Sequence, residues 1–81
     1  MKILVIEDER KVASFIRSGL EEERYGVEVA NDGITGLEMA MNNQYDAILL
    51  DVMLPGKDGF TVLSELRTAG ITTPILMLTA R

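Results

Sequence analysis

The sequence predicts an α/β domain, a parallel sheet with helices on both of its faces. Two observations carry this. Short, continuous apolar runs alternate along the chain with segments whose apolar residues recur at helical spacing, the pattern of strand–helix–strand units. No linker, repeat or low-complexity stretch divides the 81 residues, so a single domain accounts for all of them.

The first strand is expected at 3–6, Ile-Leu-Val-Ile. The run is continuous rather than alternating, as in parallel strands covered on both faces. Past Glu7 and Asp8, the residues Val12, Phe15, Ile16, Gly19 and Leu20 fall at i, i+3, i+4, i+7 and i+8, one face of a helix. Lys11, Ser14, Arg17, Ser18, Glu21 and Glu22 are left for solvent. Gly26 restarts an extended segment over 27–30, closed by the turn Asn31-Asp32-Gly33. A second helix is predicted over 34–41, with Leu37, Ala40 and Met41 inward. The third strand, 47–50, ends at Asp51, and a Pro55-Gly56 turn leads to Asp58, a natural N-cap. A third helix then carries Phe60, Leu63 and Leu66 inward and ends at Gly70. Pro74 precedes the fourth strand, Ile75–Leu78, where its missing N–H costs least. Alternation of this kind implies right-handed crossovers.

Composition narrows the function. With 47% hydrophobic and 26% charged residues the chain is globular rather than disordered. It has no cysteine, which excludes disulfides and thiolate metal sites, and no histidine, which excludes imidazole acid–base catalysis. A formal charge of −5 makes nucleic-acid binding by this segment unexpected. The apolar run at 3–6 is too short for a membrane span or signal-peptide core, so a cytoplasmic location is expected.

Polar residues gather at the strand ends: Glu7 and Asp8 after the first, Asp51 after the third, Thr79 after the fourth. In a doubly wound sheet, ligands bind beyond the carboxyl ends of the strands, where the winding reverses. If the first and third strands are neighbours, three carboxylates share one pocket. They repel unless a cation or a shared proton offsets them. Hard oxygen donors suit magnesium, which accepts phosphate as a further ligand. Each residue also has a plainer reading. Asp8 can N-cap the first helix, Glu7 can be a solvated strand-end acid, Asp51 the first polar residue of a loop, and Thr79 a β-branched strand end. Their joint placement is what argues for chemistry.

Three stretches carry a family resemblance: Val5-Ile6-Glu7-Asp8-Glu9, the segment from Asp46 to Gly59 around Leu50-Asp51-Val52-Met53-Leu54-Pro55-Gly56, and Pro74 to Arg81 with Leu78-Thr79-Ala80-Arg81. They resemble the receiver domains of response regulators, most closely those of OmpR/PhoB-type winged-helix transcription factors. Receiver proteins are among the examples behind the strand-end rule, so that rule is not independent support. The resemblance implies a flavodoxin-like doubly wound sheet, with strand order 2-1-3-4 for the four strands present and three helices. It implies that Asp51 is the phosphoacceptor, taking a phosphoryl group from a sensor histidine kinase in a two-component phosphorelay. The domain would assist its own phosphorylation and dephosphorylation rather than act as an enzyme on other substrates. Asp8, Asp51 and the backbone carbonyl of Met53 would bind Mg2+, with Glu7 acting through water. Thr79 matches the switch hydroxyl and Ala80 a small residue leaving room for the phosphoryl group. Met53 and Arg81 match positions that influence how long that group survives.

Against the family pattern, residues 1–81 are expected to be an incomplete receiver. The family continues through a fourth helix, a fifth strand and a fifth helix, and the strand 5 lysine that contacts the phosphoryl group has no counterpart here. Lys2 and Lys57 do not stand in matching places. The parent is expected to be a DNA-binding transcriptional regulator, and its DNA-binding domain is absent from this segment. The rival is a fragment with folding or assembly behaviour only. A phosphatase-type enzyme, also working through an aspartyl phosphate, is disfavoured because Met53 stands where a second acid belongs. A nucleotide-binding half-domain lacks its glycine-rich turn after the first strand. An apolar fourth strand at the sheet edge further suggests a homodimer paired along that strand.

Overall fold

A computed structural model describes residues 1–78. The element order is β1 (Lys2–Ile6), α1 (Arg10–Glu22), β2 (Gly26–Ala30), α2 (Gly33–Asn42), β3 (Ala47–Asp51), α3 (Gly59–Thr68) and β4 (Ile75–Leu78). The four strands form one sheet in the order β2-β1-β3-β4, and every pair is parallel. The α/β class, the strand order and all seven elements agree with the sequence reading, with ends shifted by at most a residue or so.

β1 is central because its residues are apolar toward both faces. Leu4 and Ile6 point into a core shared with Ile48, Leu50, Val62 and Leu66, beneath α2 and α3. Ile3 and Val5 point the other way, with Val27, Ile16 and Leu20, beneath α1. Leu4, Val5 and Ile6 are wholly buried, and each such side chain contributes roughly 1.5–3 kcal/mol. The strand registers, Ile6 against Ala30 and against Leu50, bring the carboxyl ends of β1, β2 and β3 level.

Two helix ends show the same device with different residues. At the end of α3, Gly70 N–H donates to Arg67 O and Ile71 N–H to Leu66 O, both at 3.0 Å, with Gly70 at φ 84°. This is the Schellman arrangement. At the end of α1, Arg24 N–H donates to Glu21 O at 2.9 Å and Tyr25 N–H to Leu20 O at 3.2 Å, but the left-handed residue is Arg24, at φ 69°.

The inner faces of the helices differ in part from expectation. On α1 the stripe that packs is Ala13, Ile16 and Leu20, while Phe15 is 81% exposed and Val12 and Gly19 are also exposed. Arg17 lies on the same side of the helix as Ala13, and its Nη2 donates to the Val27 carbonyl at 3.2 Å on the outer edge of β2. Val12, Phe15 and Gly19 fall on the opposite flank and stay exposed. On α3, Val62 and Leu66 are buried and Phe60 is exposed. On α2, Gly33, Gly36 and Ala40 are buried and Met41 is exposed. Gly36 faces Ile6 so closely that an added Cβ would lie 2.7 Å from its side chain. On α2, contact with the sheet therefore selects small residues over large ones.

Candidate functional site

Glu7 is the first residue past β1, and three hydrogen bonds fix it. Its N–H donates to Ala30 O at 2.9 Å. Its carbonyl accepts from Asn31 Nδ2 at 3.0 Å, and its carboxylate accepts from Glu9 N–H at 2.9 Å. The side chain is only 6% exposed. Asp8 follows, exposed. It does not cap α1: the N-cap position is Glu9, and no side chain caps that helix.

Asp51 ends β3 opposite Leu78 of β4 and is 9% exposed. The backbone after it is held on two sides, with Val52 N–H on Leu78 O at 3.2 Å and Gly59 N–H on Val52 O at 2.8 Å. Gly59 lies against the Asp51 carbonyl, where a Cβ would overlap it. Asp58 caps α3 as expected, accepting from Thr61 N–H at 3.0 Å and Thr61 Oγ1 at 2.9 Å. Between them, Pro55 O accepts from Lys57 N–H at 2.9 Å and from Gly33 N–H at 3.1 Å, with Gly56 at φ 80°. Lys57 Nζ pairs with Glu65 at 2.8 Å. Lys2 lies at the other end of β1, paired with Glu28 at 3.4 Å. Neither lysine serves the acids, in agreement with the sequence reading.

Carboxylate oxygens of Glu7, Asp8 and Asp51 all lie within 4.8 Å of one another. Among the described residues, no ion pair involves any of the three. Burial raises the pKa of the Glu7 carboxyl above its ordinary value; the Glu9 N–H opposes this, while the charges of Asp51 and Asp8 and a hydrogen bond with Asp51 raise it further. Three carboxylates this close repel unless their charge is offset. The pocket therefore takes either a shared proton or a cation, and its all-oxygen donor set fits Mg2+.

An open cleft of about 490 Å³ adjoins the acids, lined by Asp8, Met53, Leu54, Pro55, Asp58 and Phe60 among others. Met53 belongs to its wall and is 66% exposed. Of the residues singled out in the sequence, the structure brings Glu7, Asp8 and Asp51 together and puts Met53 in the wall of the adjoining cleft. Thr79 and Ala80, with Arg81, lie outside the described residues. The sequence reading gave no part to Asn31, Gly33 or Gly59, which hold the acid-bearing loops. Two of these are glycines, whose sequence signal is only that of a turn.

A parallel sheet in the order β2-β1-β3-β4, with a trio of acids where β1 and β3 end, is the architecture of a receiver-type domain. The chain belongs to the response regulator receiver domain family, which residues 3–81 match. It is 52% identical, over all 81 residues, to the transcriptional activator protein IrlR of Burkholderia pseudomallei, covering 35% of that protein. It is 46% identical over 80 residues to the transcriptional regulatory protein PcoR of Escherichia coli, covering 99% of this chain and 35% of PcoR. The chain thus spans about a third of the length of these curated relatives. Among solved structures, a Francisella response regulator receiver domain superposes with a TM-score of 0.95 at 40% identity, covering 98% of this chain and 65% of that one. The receiver domain of a Pseudomonas aeruginosa sensor histidine kinase, with a magnesium ion coordinated in its active-site cleft, gives 0.93 at 36% identity, covering 99% of this chain and 67% of that one. No helix among the described residues is long and apolar enough to cross a membrane.

Proposed function

We propose that Asp51 accepts a phosphoryl group from a phosphohistidine of a sensor histidine kinase, with Mg2+ held by Asp8, Asp51 and the Met53 carbonyl and by Glu7 through water. The observation that carries this is the approach of three carboxylates to within 4.8 Å, with no ion pair among the described residues to balance them. In the transfer, an Asp51 carboxylate oxygen forms the bond to phosphorus, the P–N bond breaks, and its electron pair leaves with the imidazole. When bound, Mg2+ supplies the positive charge that such a step needs, because nucleophile and phosphoryl oxygens are all anionic. Gly59 and Val52 hold the Asp51 backbone, and Glu7 and Asp8 keep their oxygens turned to the same point. In this reading the segment is the receiver part of a cytoplasmic, DNA-binding transcription regulator, and binds no nucleic acid itself. It acts on its own aspartate and is not an enzyme for other substrates.

Incubation with acetyl phosphate and Mg2+, followed by intact-mass and peptide analysis, tests the reading. One phosphoryl group on Asp51, lost in Asp51→Asn and in EDTA, is expected. A label on another residue, or none together with no beryllofluoride uptake, would refute it.

For residues 1–78 taken by themselves, a second copy is proposed as a partner along β4. Among the described strands β4 pairs only with β3. It carries no charge, and Leu76 is 63% exposed. Edge strands without charges or bulges are prone to such pairing.

A further inference from the structure

The turn Asn31-Asp32-Gly33 does more than join β2 to α2. We infer that it is a clamp that sets the position of the acid-bearing loops, with Asn31 as a positioning residue for Asp8.

Closing the turn requires only Asp32, which caps α2 through Thr35 N–H at 2.7 Å and Thr35 Oγ1 at 2.9 Å. The groups on either side of Asp32 face away, one to each loop. Asn31 Nδ2 donates to Glu7 O at 3.0 Å, and Gly33 N–H donates to Pro55 O at 3.1 Å. Gly33 also lies so close to the Lys57 carbonyl that a Cβ there would overlap it. One three-residue turn thus seats both the β1–α1 loop, with Glu7 and Asp8, and the β3–α3 loop, with Met53.

The effect on Asp8 follows from peptide geometry. The Glu7 carbonyl and the Cα of Asp8 belong to one rigid plane. Glu7 N–H, in the preceding peptide plane, is already held by Ala30 O, so the Asn31 bond at the carbonyl fixes the next plane relative to an anchored one. Asp8 is exposed, and among the described residues no side-chain hydrogen bond or ion pair anchors its carboxylate. Its starting point is therefore set by that plane. Asn31 meets the requirement as a donor: the amide N–H2 can serve a carbonyl, whereas a carboxylate of the same shape cannot.

The inference rests on the proposed reading of the acids as a metal site, and two readouts keep the two apart. In EDTA, the Glu9 amide donates to the Glu7 carboxylate, so Asn31→Ala should speed its hydrogen exchange about tenfold, as expected when a supporting hydrogen bond is lost. With metal, calorimetric or NMR titration of Mg2+ should show affinity about tenfold weaker in Asn31→Ala, at the lower end of what losing an outer-shell partner costs. Asn31→Asp gives the sharper arm. It adds an anion beside a cation site, so electrostatics alone tightens Mg2+ binding, while the clamp requires weakening because the carboxylate faces the Glu7 carbonyl without a donor. Tighter or equal binding in Asn31→Asp, or unchanged Glu9 exchange in Asn31→Ala, would overturn the clamp. If the parent shows no Mg2+ response, the metal-site reading falls, and Glu9 exchange alone decides the clamp. A poorly folded Asn31→Asp leaves the decision with Asn31→Ala, a change at a half-buried position that adds no charge.

Discussion

Asp51→Asn should make the metal-free protein more stable, although it removes the proposed phosphoacceptor. Glu7 and Asp51 place carboxylate oxygens within 4.8 Å of each other in a largely buried pocket. At an effective permittivity of about 20, two unit charges at that separation repel by about 3.5 kcal/mol, falling below about 1 kcal/mol in bulk water. Partial solvent access through Asp8 puts the relief between these limits, about 1–3 kcal/mol. The amide that Asp51→Asn introduces can also donate to the Glu7 carboxylate without a shared proton. For a domain of this size, each kcal/mol moves Tm by about 4–8 °C. The pH dependence gives a second signature. The folded-state pKa of Glu7 is raised, so the folded chain holds its proton more tightly than the unfolded chain. Stability then falls as pH rises from the ordinary 4.5 through the raised value. In Asp51→Asn that fall should flatten, because part of its cause has gone. Urea melts of both proteins in EDTA, from acid to neutral pH, measure the difference, and repeating them with Mg2+ should narrow it, since only the parent gains fully from the metal. A variant no more stable than the parent in EDTA at neutral pH would refute the reasoning.

Arg24→Gly should stabilise the chain by about 0.5–1 kcal/mol, because Arg24 occupies at φ 69° a left-handed position that glycine adopts without a Cβ clash. A thermal melt with an unchanged or lower Tm would count against it. If copies pair along β4, light scattering should show a dimer at micromolar concentration and a monomer for Leu76→Lys, which places a charge on that edge. A parent that is monomeric at that concentration would end the proposal.

The strands were legible because a parallel strand buried on both faces is a continuous apolar run, and the β1 segment has almost no other use. Glu7 and Asp51 were legible for the same reason, as the first polar residues where such runs stop. Helix rotation was harder to read. On α1, the Val12–Phe15 stripe is more apolar than the Ala13–Ile16 stripe beside it, and sequence spacing favours both. The choice between them depends on tertiary placement against β1 and β2, where Ile16 and Leu20 meet Ile3, Val5 and Val27. In α3, Gly59 fixes the rotation by lying on the Asp51 carbonyl, which sends Val62 and Leu66 inward and Phe60 out. Asn31 was illegible as a site residue because its partner lies on a different loop, and only the β1–β2 register brings the two together.

The bond from Arg17 to Val27 has a colloidal consequence. Gly26 N–H donates to Met1 O and Ala30 O accepts from Glu7, both toward β1, so by strand alternation the Val27 and Val29 backbone groups face outward. An outward row of this kind is a template on which a foreign strand can grow. The crossover helix of the same unit carries its own stopper: the guanidinium occupies the Val27 carbonyl, and Glu21 holds it at 3.6 Å. An exposed pair like this adds little to folding free energy. Its value is measured in solubility, and damage at position 17 would be seen as turbidity in a concentrated solution well before it moved a melting curve.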